Sequence, residues 1–395
     1  MGIGATIEAL RYRTPIGWKQ LMHSPSRLFV ACTGVAFANI LILMMWGLSA
    51  TQISTIVRPI DAFKADIFLV GPSGNNLTDS GTIPRRRLDQ ALSLPGVAEG
   101  TAINIGNVSF RNPATKGTQK LSIFGVDPES DVMADPEISG QRDKLKVADT
   151  VLLDRAARGD FSAIVERIKT GELRQIELMG RTVSIEGMFK IGGSFSTDGV
   201  VIASDQTFMR LVPMRAKGAV SAVILKVTPG YSPEVVAADL RRLLPSSDTK
   251  VLTMEEFRSN AIRYSRGKSP IGIMFTSAML LGFVVGMVIV YQILSADVAA
   301  HLGEYATFKA MGYTDGYLLG IVFEEALILA LIGFVPGFIG SLCLYELLRY
   351  LSGIPITMPI DRGVTSFGFT VVMCFVSGAI ATRRLAAADP ADVFG

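Results

Sequence analysis

The sequence predicts a membrane α-helical protein: four transmembrane helices, with a large extracytoplasmic α+β domain between helices 1 and 2. Three observations carry this. Hydrophobic residues make up 49% of the chain and charged residues 18%, with a mean hydropathy of +0.40, whereas soluble domains carry about a quarter charged residues. Four segments are long and apolar enough to cross a bilayer, which takes roughly 20 residues. Between the first two, residues 58–269 change to short strand patterns, turns and amphipathic helices.

Residues 1–27 form a cytoplasmic, amphipathic N-terminal segment. Arg11, Arg13, Lys19 and Arg27 stand there against one acid, Glu8, and an excess of basic residues beside the first span marks the cytoplasmic side. The first span, 28–57, contains no charge and is too long for a signal-peptide core. The second, 270–296, is also uncharged. The third, 316–345, holds Glu324 and Glu325 near its start; the fourth is 364–382, and Arg383 and Arg384 open the tail 383–395. Four crossings return that tail to the cytoplasm. Residues 297–315 are then a cytoplasmic connector, 346–363 a short periplasmic loop and 58–269 the external domain, whose basic residues are no obstacle because long loops translocate regardless of charge.

Inside 58–269, strands are expected at 65–70, 97–111 and 119–126, with a helix at 84–94 that carries Pro84 in its first turn. The end of the domain repeats this plan with a strand at 222–227, a helix at 233–244 and a strand at 250–252. Two strand–helix–strand units predict a split α+β subdomain made of 62–126 and 219–262, around an inserted β-rich subdomain at 127–218. Within the insert, 175–178 and 182–189 read as a hairpin across Met179-Gly180-Arg181.

Several chemistries are excluded or disfavoured. The two histidines, His23 and His301, lie outside the external domain, so neither a His-based triad nor a common zinc site can be built there. Cys32, Cys343 and Cys374 all fall in apolar segments, which leaves no disulfide framework outside the membrane. Gly267-Lys268-Ser269 has Ile262 where a phosphate-binding loop needs glycine, and no strand precedes Gly2-Ile3-Gly4. The net charge of +3 is dispersed apart from Arg85-Arg86-Arg87, a solvated helix start or a headgroup contact, so no nucleic-acid partner is expected. No catalytic residue, metal ligand or cofactor site is assigned.

The connector is more informative. His301, Leu302, Gly303, Glu304, Tyr305, Ala306, Thr307, Phe308, Lys309, Ala310, Met311 and Gly312 predict a short helix with one apolar face and a glycine stop, able to lie along the membrane and meet a cytoplasmic partner. Gly282 with Gly286, and Gly333 with Gly337, form pairs that let helices approach closely. Pro336 should kink the third span, and Asn39 should hydrogen-bond to another helix. Of the two intramembrane acids, Glu324 is expected to stay wet and Glu325 to have a structural or coupling role.

Glu304-Tyr305-Ala306, Lys309-Ala310-Met311-Gly312, Glu325-Ala326-Leu327 and the series Gly333, Gly337 and Gly340 resemble the core signature of FtsX-like permeases in the MacB superfamily of ABC systems, with Ala306 where that pattern has glycine. Leu10-Arg11-Tyr12-Arg13-Thr14-Pro15, Pro84-Arg85-Arg86-Arg87-Leu88, Ser269-Pro270-Ile271-Gly272, Tyr291-Gln292-Ile293-Leu294, Lys309-Ala310-Met311-Gly312-Tyr313 and Ala388-Asp389-Pro390-Ala391-Asp392-Val393-Phe394 resemble the DevC type. The resemblance implies an inner-membrane permease that acts as a homodimer among membrane lipids. It implies two copies of a separate ABC ATPase that binds the ATP and Mg, a HlyD-like periplasmic adaptor (a membrane fusion protein) and a TolC-like outer-membrane channel. It makes a lipid-linked cargo such as a glycolipid plausible, and it places ATPase coupling on 301–312. The alternative is an FtsX-like transmembrane regulator that activates a cell-wall hydrolase.

Overall fold

The computed structural model describes residues 16–23, 25–113, 116–159, 161–213, 216, 218–352, 356 and 360–382. The chain divides into two compact units, one holding residues 50–273 and 350–355, the other holding the remainder.

The membrane unit is built on four helices long and apolar enough to span a bilayer: α2 (Pro25–Asp61), α9 (Pro270–Ala300), α11 (Asp315–Ser352) and α12 (Ile360–Ala381). Two short helices accompany them, α1 (Ile16–His23) and α10 (Leu302–Ala310). Their core gathers Ala31 and Val35 of α2, Leu294 and Val298 of α9, Tyr305 of α10, Ile321 and Leu329 of α11, and Met373 and Cys374 of α12. The first of these helices extends beyond 28–57, and the fourth begins before 364.

Among the described residues the second unit contains eleven strands, in chain order β1 (Ile67–Val70), β2 (Ile83–Pro84), β3 (Val97–Arg111), β4 (Thr118–Val126), β5 (Thr150–Asp154), β6 (Gln175–Leu178), β7 (Arg181–Phe189), β8 (Gly199–Ser204), β9 (Ala219–Val220), β10 (Ala222–Val227) and β11 (Lys250–Thr253). Nine form one sheet in the order β11-β1-β10-β3-β4-β8-β5-β7-β6. The first four of these are antiparallel neighbours. With α3 (Arg86–Leu92) before β3 and α7 (Pro233–Leu243) between β10 and β11, they make a split β-α-β-β-α-β unit. Alternation gives this sheet two apolar faces. Leu69, Val223 and Leu225 meet Ala91 of α3 and Leu240 of α7. On the other side the Phe68 ring lies 4.8 Å from that of Phe257, tilted by 33°, on α8 (Met254–Gly267). Helix α8 starts on a capping box: Thr253 Oγ1 accepts from Glu256 N at 3.2 Å, and the Glu256 carboxylate accepts from Thr253 N at 2.9 Å.

The remaining strands curl back on β3, because Phe110 pairs with Leu178 as well as with Gln119. β3, β4, β8, β5, β7 and β6 therefore close on one another, and closure removes sheet edges. Leu121, Ile123, Val151, Leu153 and Val201 pack against Phe161 of α5 (Phe161–Lys169) and Phe208 of α6 (Asp205–Leu211). Phe124, Leu152 and Ile202, one residue out of step, enter the other core. A last short helix, α4 (Pro136–Ser139), is capped by Asp135.

Three sequence expectations change here. The border between the split subdomain and the insert falls inside β3: Ala102 and Ile103 pair with β10, while 104–111 and all of β4 belong to the closed strands. Pro84 pairs with Ala219 in a two-strand ladder, and the helix begins only at Arg86. The hairpin turn is Met179-Gly180, both at positive φ (51° and 76°), with Arg181 already opposite Leu178; a two-residue turn of this hand matches the twist of its strands.

Candidate functional site

Helix α10 joins the second and third spans; His301 ties its start back to the second span, and a glycine turn closes its end. His301 is the N-cap residue; its amide donates to Asp297 O, and its Nδ1 lies 3.0 Å from the same carbonyl. At the other end Gly312 takes φ +90°. Its N–H donates to Lys309 O, and Tyr313 N–H donates to Phe308 O at 3.1 Å. That pair of bonds is the Schellman motif, completed by ring contact between Tyr313 and Phe308 at 5.7 Å. The sequence showed the glycine stop, and the bonds that complete it lie within six residues.

The residues assigned to coupling divide between two faces. Tyr305 is 1% exposed and Ala306 is buried, both turned into the membrane unit's core; Leu302, Phe308 and Lys309 are half-buried. Gly303, Glu304, Thr307, Ala310, Met311 and Gly312 are exposed, and Tyr313 extends that surface. The expected apolar face thus serves the chain's own packing, and Tyr305 is a core residue in place of a contact for a partner. Met311 is the large apolar side chain left outside, at 62% exposure.

The glycine pairs have one shared neighbour. A Cβ at Gly286 would lie 2.6 Å from Ala38 Cβ, one at Gly333 2.6 Å from Val35 Cβ, and one at Gly337 2.8 Å from Asn39 Cβ. Gly282 faces Leu41 with more room, 3.2 Å. All four positions let α9 and α11 close on α2. Asn39 Nδ2 donates to Val35 O at 2.9 Å, and Thr370 Oγ1 of α12 donates to Asn39 Oδ1 at 2.5 Å. Ser377 Oγ of α12 donates to Met287 O of α9 at 2.8 Å, and Tyr345 of α11 hydrogen-bonds to Leu43 O. Pro336 lies inside α11. Glu324 is half-buried and Glu325 is fully buried.

The second unit has its own polar sites. A cavity of about 150 Å³ is lined by Gln52, Asn76, Ser122, Ser194, Thr197 and Ser269 among apolar side chains such as Leu77 and Phe124. Gln52 is 3% exposed, and its Oε1 has no donor. Arg58 lines the cavity too and no carboxylate does, so the wall offers hydroxyls, amides and one guanidinium. Asp154 shapes one wall: its carboxylate accepts from Ala156 N at 2.9 Å, Ile191 N at 3.1 Å and Gly192 N at 2.6 Å, and burial pushes this carboxyl above the usual range despite those bonds. Elsewhere, Arg87 is buried with its fork on Asp248, at 2.5 Å and 3.2 Å, and holds that carboxyl below its usual range. Arg85 lies 3.8 Å from Asp205. The arginine triplet thus supplies ion pairs, beyond a merely solvated helix start. Among the described residues no group of three or more His, Cys, Asp or Glu could hold a metal, and the three cysteines are free.

Missed from sequence were Gln52, Asp154 and Asp297. The last lay just beyond the expected end of the second span, and the helix that runs on to Ala300 brings it inside. Arg11, Arg13, the 10–15 motif, Arg383, Arg384 and the 388–394 motif lie outside the described residues.

Known families share this arrangement of spans and external domain. The model of the MacB-like periplasmic core domain matches residues 28–243, and that of the FtsX-like permease C-terminal region matches 276–390. The chain belongs to the MacB/FtsX-like permease family. It is therefore an ABC-type permease subunit, a multi-pass inner-membrane protein of a family that works with an ABC ATPase partner. Among solved structures, the periplasmic region of MacB from Actinobacillus actinomycetemcomitans is similar at 11% identity, covering 50% of this chain and 93% of that one, with TM-score 0.35. The extracellular domain of the noncanonic ABC-type transporter YknZ from Gram-positive bacteria is similar at 12% identity, covering 48% and 100%, with TM-score 0.32. A domain of a permease protein from Porphyromonas gingivalis is similar at 16% identity, covering 49% and 88%, with TM-score 0.30. No curated protein matches the chain. Membership of this permease family rests on the two sequence models.

Proposed function

We propose that this chain is a DevC-type permease subunit of a tripartite ABC exporter that passes ATPase-driven motion through α10 to the periplasmic domain. In this reading it is a homodimer with both termini in the cytoplasm. A separate ATPase binds the ATP and Mg and meets the exposed face of α10. The external domains drive a lipid-like or other periplasmic cargo, a glycolipid among the candidates, into a HlyD-like adaptor and a TolC-like duct. The observation that supports it most is the rigid attachment of α10. A helix closed by a Schellman turn, with Tyr305 in the core and Glu304, Thr307, Met311 and Tyr313 outward, moves with its spans when pushed.

The test is Met311→Glu combined with Tyr313→Ala in the full chain. Truncating anchors at an interface centre costs about 1–2 kcal/mol each, and every 1.4 kcal/mol is about tenfold in affinity. Membrane insertion should be unchanged, while the ATPase no longer co-purifies and export stops. An ATPase still bound, with export intact, would refute the coupling role. Capture of a cell-wall hydrolase with no adaptor would favour the regulatory alternative.

A further inference from the structure

The cavity of the periplasmic unit contains one acceptor that the protein itself does not satisfy. All of its lining residues fall within 50–273, so a single unit builds the whole site. Most of its polar wall is already paired. Thr197 Oγ1 lies 3.2 Å from Ser122 Oγ and 3.0 Å from Ser194 Oγ. Asn76 Oδ1 accepts from Thr78 Oγ1 and from Asp79 N, both at 2.8 Å. Gln52 is the exception. Its Nε2 reaches Ser269 Oγ at 3.5 Å, yet its Oε1 has no donor, and the residue is 3% exposed. Buried amide oxygens are normally hydrogen-bonded, so this one calls for a donor from outside the chain.

Charge and position narrow what brings that donor. Arg58 lines the cavity and is exposed, and no lining residue is a carboxylate; a guanidinium in such a wall favours an anion. Arg27 and Arg58 bound the uncharged run of α2 and stand 31 positions apart, hence about 46 Å along a helix. That matches a bilayer with its headgroups, roughly 40–45 Å, and puts Arg58 level with the headgroups on the periplasmic side. Ser269, which Gln52 meets, directly precedes α9 and its uncharged run. Both spans therefore enter the bilayer beside the cavity. Its volume of about 150 Å³ admits a group the size of benzene.

We propose that this cavity binds the head of an anionic lipid that carries hydroxyl groups, drawn from the periplasmic leaflet. A hydroxyl of the head donates to Gln52 Oε1, the phosphate meets the Arg58 guanidinium, and the acyl chains stay in the membrane. A choline head does neither: it has no donor for Gln52 and brings a second cation to Arg58. Binding here requires neither the ATPase nor export, so the site stands or falls apart from the exporter reading above.

The test is native mass spectrometry of the full chain in detergent, titrated with phosphatidylglycerol, phosphatidylethanol and phosphatidylcholine. The first two carry the same charge and differ in their hydroxyls. Phosphatidylglycerol should bind saturably and about fivefold tighter than phosphatidylethanol, the worth of one neutral hydrogen bond; phosphatidylcholine should bind most weakly. Gln52→Met should erase the difference between the two anionic lipids. Arg58→Met should weaken both by about tenfold. Lys268→Met removes a neighbouring charge that does not line the cavity and should change neither by more than about twofold. Equal binding of the two anionic lipids by the native protein overturns the proposal and leaves a cavity for water only. An equal loss in Lys268→Met and Arg58→Met overturns it too, since the lipid is then held by surface charge. Glycerol 3-phosphate that displaces phosphatidylglycerol at equal concentration refutes the lipid source in favour of a soluble phosphate. Should Gln52→Met fail to fold, the native lipid comparison and Arg58→Met still decide.

Discussion

Asp154→Ala probes how one buried carboxylate holds the wall of the periplasmic cavity. The side chain is fully buried at the end of β5 and accepts three backbone N–H groups, from Ala156, Ile191 and Gly192. Each buried donor left unpaired costs about 1–3 kcal/mol. Ile191 and Gly192 line the cavity, where water can replace part of the loss, so the net cost is about 2–4 kcal/mol. For a unit of some 200 residues, each kcal/mol lowers the unfolding midpoint by about 2–4 °C. The segment 50–273, followed by circular dichroism, should therefore lose about 4–16 °C. Asp135→Ala, which removes one cap bond at 2.8 Å to Glu137 N, should cost only about 1 kcal/mol. Burial raises the Asp154 carboxyl above its unfolded value. Its contribution is then fully present below the ordinary carboxylate range and declines as pH rises through the raised value. The penalty of Asp154→Ala should accordingly shrink from acid toward neutral pH. A midpoint shift under about 2 °C, or a penalty that grows with pH, would refute the reasoning.

Gly337→Leu should lower the thermal stability of the detergent-solubilised chain by about 1–3 kcal/mol, because its Cβ meets Ala36 O at 2.9 Å; Gly303→Ala, with nothing within 4 Å, should be neutral or stabilising. Arg87→Met should destabilise the segment 50–273 at neutral pH and less at low pH, since Arg87 holds Asp248 below its usual range and that gain is lost as pH falls through the lowered value; an equal loss at pH 3 and pH 7 would contradict this. Trimming the segment to 62–262 should cost at least about 2 kcal/mol by removing Ile60, which is fully buried beside Phe63 and Phe257, and neither reductant nor chelator should shift the midpoint of the longer segment.

The sequence by itself determined what depends on local chemistry and long apolar runs. Four uncharged or nearly uncharged stretches fixed the spans, since a bilayer requires such length. Pro233, the Met179-Gly180 pair and Gly312 marked the helix start, hairpin and helix stop, because each satisfies a backbone demand within a few residues. Tertiary structure decided what depends on partners distant in the chain. That β3 serves two sheets' worth of pairing follows from Phe110 meeting Leu178, which no alternation pattern encodes. That Tyr305 faces inward follows from which side of α10 the spans cover: an amphipathic pattern shows that one face is apolar and leaves open what buries it. Glu325 was legible as an acid inside a span. That it is fully buried, with Gly17 of α1 packed against it, was not, because a charge's cost is set by what surrounds it in space.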